Sequence, residues 1–333
     1  MDLKEIWIYA EARGGRVNEV AHELLTRALD LKEKLDNSIV SAVLIGHKIP
    51  DEDKHELIQR GADKVYYVDS PKLKDFLVEP YSKVLTQLVK KYTPEIIIAP
   101  ATTQGRTLMP YTAVRLRTGL TADCTGLDID EEGNLLQTRP AIGGNIMATI
   151  KTATRPQMAT VRPHSTRPAP IDEHRQGEIV NVDIQLTQED LPTARLDFIK
   201  DETQGGTIQD ADVVVSGGRG IGKAENFKIV YKLAKLLGGA VGGSRDVVDR
   251  GWIGYPHQVG LSGKTVNPKL YIALGISGAI QHLAGMQTSD TIIAVNKDPD
   301  AQIFRVSDLG IVADVTELVP ALIERLEVAK NEI

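Results

Sequence analysis

The sequence predicts an α/β protein of two domains, an N-terminal parallel-sheet α/β domain and a C-terminal domain of the same alternating class. Three observations predict it. Short apolar runs alternate with segments whose apolar residues recur every three or four positions, the pattern of buried strands joined by helices. The alternation runs from Ile6 and restarts after a polar stretch containing Gly205 and Gly206. A chain of 333 residues also exceeds one ordinary core.

Taken in order, Ile6–Ala10 is a buried strand. Val17–Leu35 is a helix, with Val20, Leu24, Ala28 and Leu31 on one stripe. Strand Val40–Ile45 stops at Gly46, helix Lys54–Arg60 ends at Gly61, and strand Lys64–Val68 follows. Helix Tyr81–Lys91 leads to strand Ile96–Ala99, closed by Pro100, and a further helix lies near Leu108–Leu116. Glycines and alternating segments continue to Ile150, then Arg155–Pro156, Arg162–Pro163 and Arg167–Pro168 punctuate the chain. Ile179–Ile184 is an extended strand of the first domain. The polar residues 195–206 read as a linker, which sets domains of 1–200 and 206–333. In the second domain Ala211–Val215 is a strand and Gly217–Gly222 a turn. Phe227, Val230, Tyr231, Ala234 and Leu237 form a helical stripe, and Gly238–Val241 is a small buried segment. Strands Leu270–Leu274, Thr291–Val295 and Ile311–Val312 precede a terminal helix from Glu317 to about Val328.

Composition narrows the chemistry. A net charge of -6 offers no general attraction for nucleic acid or an anionic membrane. Cys124 is the only cysteine, so the chain alone builds no internal disulfide, CxxC pair or iron–sulfur cluster. Redox chemistry would therefore need an organic cofactor. Metal ligation has no support, since the seven histidines are scattered and no His-Glu-x-x-His occurs. There is no basic leader and no apolar stretch of about 18 residues, so the cytoplasm is the expected compartment and no membrane insertion is expected.

The loops after the second-domain strands carry the functional signal, because an open α/β sheet receives ligands at its strand C-termini. Ser216-Gly-Gly-Arg-Gly-Ile-Gly222 lets backbone amides approach a pyrophosphate. Its glycine order is not GxGxxG, and no acidic residue ends a second strand about twenty residues on, which weakens a nicotinamide site. Arg219 reads equally as a phosphate partner or a solvent-facing turn residue. After Gly242-Gly243, Ser244 and Arg245 suit the edge of a reducible ring, while Arg245 paired with Asp246 or Asp249 is the plainer alternative. Gln258-Val259-Gly260-Leu261-Ser262-Gly263 is a compact loop, in which Ser262 contacts a ligand or only closes a turn. Gly275-Ile-Ser277-Gly278-Ala279-Ile-Gln281-His282 offers amides to phosphate oxygens, and His282 a polar edge or a buried structural group. Asn296 and Asp314 read an adenosine, or either caps a helix. No Gly-x-Ser-x-Gly marks a hydrolase.

Together these segments closely resemble the alpha subunit of electron transfer flavoproteins, the family that includes FixB. The resemblance spans the chain and is sharpest in Ser216–Gly220, Val241–Arg245, Gln258–Gly260, Leu270–Gly285 and Ala294–Pro299. It implies a C-terminal flavodoxin-like, Rossmann-type domain holding one FAD, and an N-terminal domain packing on a beta subunit that carries AMP or a second FAD. By resemblance, Arg219 and Ser277 to Ala279 lie at the pyrophosphate, and Asn296 and Asp314 serve the adenosine half. Arg245 would face the isoalloxazine and favour its reduced, anionic forms, with Ser244 and Ser262 on its N5 side and His282 toward its pyrimidine edge. Gln258, Val259, Gly260, Leu261, Gly275, Gly278 and Gln281 complete the cofactor-binding set. The family loop commonly reads Gln-Val-Gly-Gln-Thr-Gly; here Leu261 replaces an amide, and Ser262 keeps the hydroxyl.

The resemblance further implies a heterodimer serving an acyl-CoA dehydrogenase. Ala122–Leu127 and Thr138–Asn145 look similar to bacterial, often anaerobic, members, which implies electron bifurcation with NADH and ferredoxin. In that reading the FAD domain turns about the 195–206 linker. The alternatives are an ordinary flavoprotein of fatty acid oxidation, an NAD-linked dehydrogenase, and a non-redox nucleotide-binding scaffold.

Overall fold

The computed structural model describes residues 3–141, 146–196, 208–209 and 211–331. Residues through 196 form one compact unit and those from 208 a second. The expected linker, 195–206, lies almost wholly outside the described residues.

In chain order the first unit comprises strand β1 (Lys4–Ala10), a short hairpin β2 (Ala12–Arg13) and β3 (Arg16–Val17), and helix α1 (Val20–Lys32). Then come β4 (Ser38–Gly46), α2 (Asp51–Gln59), β5 (Lys64–Asp69), α3 (Val78–Tyr92), β6 (Ile96–Pro100) and α4 (Thr103–Leu116). It closes with β7 (Leu120–Cys124), β8 (Gly126–Ile129), β9 (Leu135–Pro140), β10 (Met147–Lys151), β11 (Gln157–Val161) and β12 (Glu178–Asn181). Seven strands pair in the order β12-β5-β4-β1-β6-β11-β7, every neighbour parallel. Both faces are covered, which explains why Ile6–Ala10 is apolar throughout rather than alternating. Ile6, Ile8 and Ala10 enter the core that includes Leu24, Leu25 and Ala28 of α1, whereas Trp7 and Tyr9 enter the one with Val84, Leu85 and Leu88 of α3.

Strands β8, β9 and β10 form a separate antiparallel sheet, which the sequence reading did not resolve. Its strands are short and mix apolar with polar residues, so they show no sustained apolar run. Residues 142–145, within the segment likened to anaerobic members, fall outside the described residues.

The second unit contains β13 (Val213–Gly217), α5 (Lys228–Leu236), β14 (Ala240–Gly243), α6 (Arg245–Asp249), β15 (Leu270–Leu274), α7 (Ile280–Leu283), β16 (Ile292–Asn296), β17 (Leu309–Val312) and α8 (Val315–Asn331). Its sheet runs β14-β13-β15-β16-β17, all parallel. In order along the chain that is 2-1-3-4-5, the flavodoxin-like doubly wound topology. The first strand starts two residues later than expected and absorbs Ser216 and Gly217, so the turn begins at Gly218. The small buried segment at 238–241 is strand β14, shifted to 240–243. Val230, Leu233 and Ala234 bury the inner stripe of α5; Tyr231, assigned to that stripe from its spacing, is exposed.

Among the described residues no helix is long and apolar enough to cross a membrane, and no cluster of three His, Cys, Asp or Glu is placed to hold a metal ion.

Candidate cofactor-binding site

All five strands of the second sheet point their C-terminal ends the same way. Apart from the Gln258–Ser262 segment, the site residues expected from the sequence follow such ends: Arg219 after β13, Ser244 and Arg245 after β14, Gly275 and Ser277 to His282 after β15, Asn296 closing β16, and Asp314 after β17. The segment from Gln258 joins this edge through the Val259 N–H, which donates to the Gly243 carbonyl at 2.9 Å. The strand order reverses between β13 and β15, and a doubly wound sheet opens its ligand crevice at that point.

Glycines bring the two loops flanking the crevice together. The Gly218 N–H donates to Leu274 O at 2.8 Å and the Gly220 N–H to Gly275 O at 2.9 Å. Gly275 has φ +64°, and a Cβ there would sit 2.7 Å from Gly220 Cα, so neither position accommodates a side chain. Beyond Gly275 the backbone turns outward. Ser277 O accepts from the Ile303 N–H at 3.1 Å, while the N–H groups of Ser277, Gly278 and Ala279 have no acceptor among the described residues. Three adjacent amides left unpaired beside a glycine-lined strand end form a place for anionic oxygens.

The side chains divide into two groups. Asn296 and Asp314 already bond to their own backbone. Asn296 Nδ2 donates to Ile276 O at 2.9 Å and its Oδ1 accepts from the Asp298 N–H at 3.0 Å, which fixes the β15 loop from the next strand. Asp314 accepts from the Thr316 N–H at 2.8 Å and its hydroxyl at 2.6 Å, the helix-cap alternative, and these bonds lower its pKa. Arg245 and Arg219 are exposed: Arg245 Nε lies 3.3 Å from Asp249, the plainer pairing foreseen above, and Arg219 Nε lies 3.6 Å from Asp246. Such exposed pairs hold an arginine only weakly. Ser244 starts α6 without capping it through its side chain.

The Gln258 loop is tied from inside. Buried Gln258 donates to the Ser262 hydroxyl at 3.0 Å, and Tyr255 donates to Ser262 O at 2.9 Å. The Leu261 N–H donates to Gln281 O at 2.6 Å, so the loop leans on α7, with Gly260 at φ +139° allowing the contact. The Leu261 side chain is exposed, as are Ser277, Ala279 and Gln281. His282 is buried beneath the loop, its Nε2 2.9 Å from the Tyr271 hydroxyl. Burial lowers its pKa to about 4, the Val259 carbonyl opposing. Sequence reasoning missed Tyr271 because, inside an apolar strand, it carries no signal beyond core packing.

These residues fit a dinucleotide cofactor. Unpaired amides and two weakly held guanidinium groups answer the anionic part, and an exposed apolar rim of Tyr255, Leu261 and Ile280 answers a planar ring. Two buried polar atoms here, Ser216 Oγ and His282 Nδ1, have no close, well-aligned hydrogen-bond partner among the described residues.

Comparison with known proteins gives the same reading. Residues 6–186 match the electron transfer flavoprotein domain and residues 207–287 the electron transfer flavoprotein FAD-binding domain. An electron transfer flavoprotein subunit alpha of Thermoanaerobacterium thermosaccharolyticum is 52% identical over 330 residues, 99% of each chain. The chain belongs to the electron transfer flavoprotein alpha subunit and FixB family. Its role is electron transfer. A FixB protein of Azotobacter vinelandii is 43% identical, covering 100% of this chain and 94% of the relative. The acryloyl-CoA reductase electron transfer subunit beta of Anaerotignum propionicum is 42% identical, covering 99% and 97%. Relatives of this flavoprotein family thus extend over both units rather than the FAD-binding part alone.

Proposed function

We propose that this chain binds one FAD at the C-terminal ends of β13 to β17 and, paired with a beta subunit, passes its electrons to an acyl-CoA dehydrogenase within an electron-bifurcating complex. The observation that carries the reading is the glycine-closed crevice at the 2-1-3-4-5 reversal, with the unpaired amides of Ser277, Gly278 and Ala279 beside it. The bound isoalloxazine supplies the electron transfer; the chain breaks no substrate bond itself. Its residues bind and tune. The amides with Arg219 receive the diphosphate, and Asn296 and Asp314 line the adenosine end. Arg245 swings from Asp249 to place a positive charge beside the ring, stabilising its reduced, anionic forms. Ser244 and Ser262 offer hydroxyls at the ring edge, while Gln258, Val259, Gly260, Leu261 and Gln281 form the wall.

The relative named as an acryloyl-CoA reductase electron transfer subunit favours an acyl-CoA acceptor, and the likeness of residues 122–127 and 138–145 to bacterial, often anaerobic, members is what supports a bifurcating assembly with NADH and ferredoxin. Purifying the chain with its beta subunit tests this. Two FAD per heterodimer, with NADH oxidation that requires both ferredoxin and an acyl-CoA dehydrogenase, is the expected result. One FAD with AMP, and no ferredoxin dependence, would make it an ordinary member. A heterodimer with no flavin would reject the proposal as a whole.

A further inference from the structure

Three oxidisable rings meet in the first unit. Trp7 on β1 and Tyr66 on β5 are buried with their centroids 5.3 Å apart. Tyr92, closing α3, lies 4.4 Å from Tyr66 and 6.2 Å from Trp7. Rings in contact at these distances exchange an electron readily. Tyr92 is half-buried, so it is the ring that solvent reaches.

One carboxylate serves the cluster. Glu5 stands two residues before Trp7 on β1, and its Oε2 accepts the Trp7 indole N–H at 2.7 Å and the Ser41 hydroxyl at 3.0 Å. The Tyr66 hydroxyl donates to Glu5 Oε1 at 3.0 Å, and Lys64 Nζ lies 3.7 Å from the same oxygen. Burial, then the Glu5 charge, raise the Tyr66 pKa, so the phenol keeps its proton while it keeps its electrons. A phenol that loses an electron becomes a strong acid, and a carboxylate already in hydrogen-bond contact takes that proton without moving. Neighbouring tyrosines are placed differently. Lys91 Nζ lies 4.9 Å over the Tyr92 ring and Lys54 Nζ 4.4 Å over Tyr67, and a cation above a ring holds its electrons back. Tyr81 donates to the Leu73 carbonyl at 2.8 Å, which is no base. Tyr66 instead faces a carboxylate and two further electron-rich rings.

We propose that Tyr66 is a site of reversible one-electron oxidation with Glu5 as its proton acceptor, through which the first unit quenches oxygen-derived radicals arriving at Tyr92. The radical takes one electron from Tyr92 and becomes its anion, and Tyr66 refills that ring across the 4.4 Å contact. The Tyr66 O–H bond breaks, its proton passes to Glu5, and a neutral tyrosyl radical remains. A soluble thiolate then supplies an electron, leaving as a thiyl radical, and Glu5 returns the proton. Both residues end as they began. The site stands apart from the FAD reading, and neither requires the other.

The test is freeze-quench EPR of the heterodimer, natural and with ring-deuterated tyrosine, after oxidation by photogenerated tris(bipyridine)ruthenium(III). A tyrosyl signal that narrows on deuteration, forms more slowly in D2O and is lost in Tyr66→Phe is expected. In Glu5→Gln its formation should slow and the D2O effect vanish. Dithiothreitol should erase the wild-type signal and leave the protein oxidisable a second time. A signal undiminished in Tyr66→Phe, no tyrosyl signal at all, or a rate indifferent to D2O would overturn the proposal. A radical that dithiothreitol cannot erase would equally overturn it, since the oxidation would not be reversible. If Glu5→Gln fails to fold, the D2O effect in the wild type still decides. A heterodimer that binds no flavin would reject the function proposed above and leave the Tyr66 signal as informative as before.

Discussion

Arg245 shows how one residue supports two readings that the sequence alone leaves undivided, the exposed pair with Asp249 and the proposed place beside the flavin ring. Its exposed pair with Asp249 is weak enough to be exchanged for a ring carrying negative charge. Arg245→Ala should therefore leave stability nearly unchanged and lower the flavin potential, checked by spectroelectrochemistry; an unchanged potential would remove Arg245 from the site. His282 gives a pH signature. Its pKa falls from 6.5 to about 4 on folding, so the unfolded chain binds the proton more readily between those values. Stability is then whole above pH 6.5 and declines as pH falls toward 4, by on the order of 3 kcal/mol. Denaturant titrations should show that slope and His282→Gln should flatten it. Glu23 works in the opposite sense. Buried on α1, it accepts the His164 N–H at 2.7 Å, and burial raises its pKa from 4.5 to about 7. The folded state holds that proton more tightly, so stability is lost as pH rises from 4.5 through 7. Glu23→Gln should be neutral near pH 5 and stabilising by about 1–3 kcal/mol near pH 8. Calorimetry at the two values checks it.

At the scale of elements, the parallel strands were legible because burial on both faces makes each a continuous apolar run, as in Ile6–Ala10 and Leu270–Leu274. The antiparallel strands β8 to β10 were not, because they are short, mix apolar with polar residues, and are defined by pairing rather than patterning. The glycine loops were legible as loops at strand ends. Their interlock was not, since which glycine faces which is a tertiary fact. For Asn296 and Asp314 residue type gave two readings each, and the structure shows both bonded to nearby backbone. The interlock predicts a severe effect. Gly275→Ala adds a Cβ 2.7 Å from Gly220 Cα at φ +64°. Positive-φ strain and overpacking together should cost about 2–4 kcal/mol in the second unit. FAD content should fall with it, whereas Gly238→Ala, at φ +67° with no atom within 4 Å of the added Cβ, should keep its FAD. Equal loss in both would show that backbone strain alone, not the loop contact, governs the site.

For the whole molecule, the two-unit division and the alternation of strand and helix follow from patterning, while the 2-1-3-4-5 order does not. Strand order depends on which apolar edges meet, and no single segment encodes it. That order matters most for function, because it places the reversal where the glycine loops meet. Family membership extends over both units, so the first unit belongs to the electron transfer flavoprotein family as much as the second. Titration of the deflavinated heterodimer with FAD, comparing wild type with Gly275→Ala, tests the central claim most directly. Saturation in the wild type with loss of one equivalent in the variant is the predicted result. Full FAD uptake by a folded Gly275→Ala heterodimer would contradict a flavin site at the β13–β15 crevice.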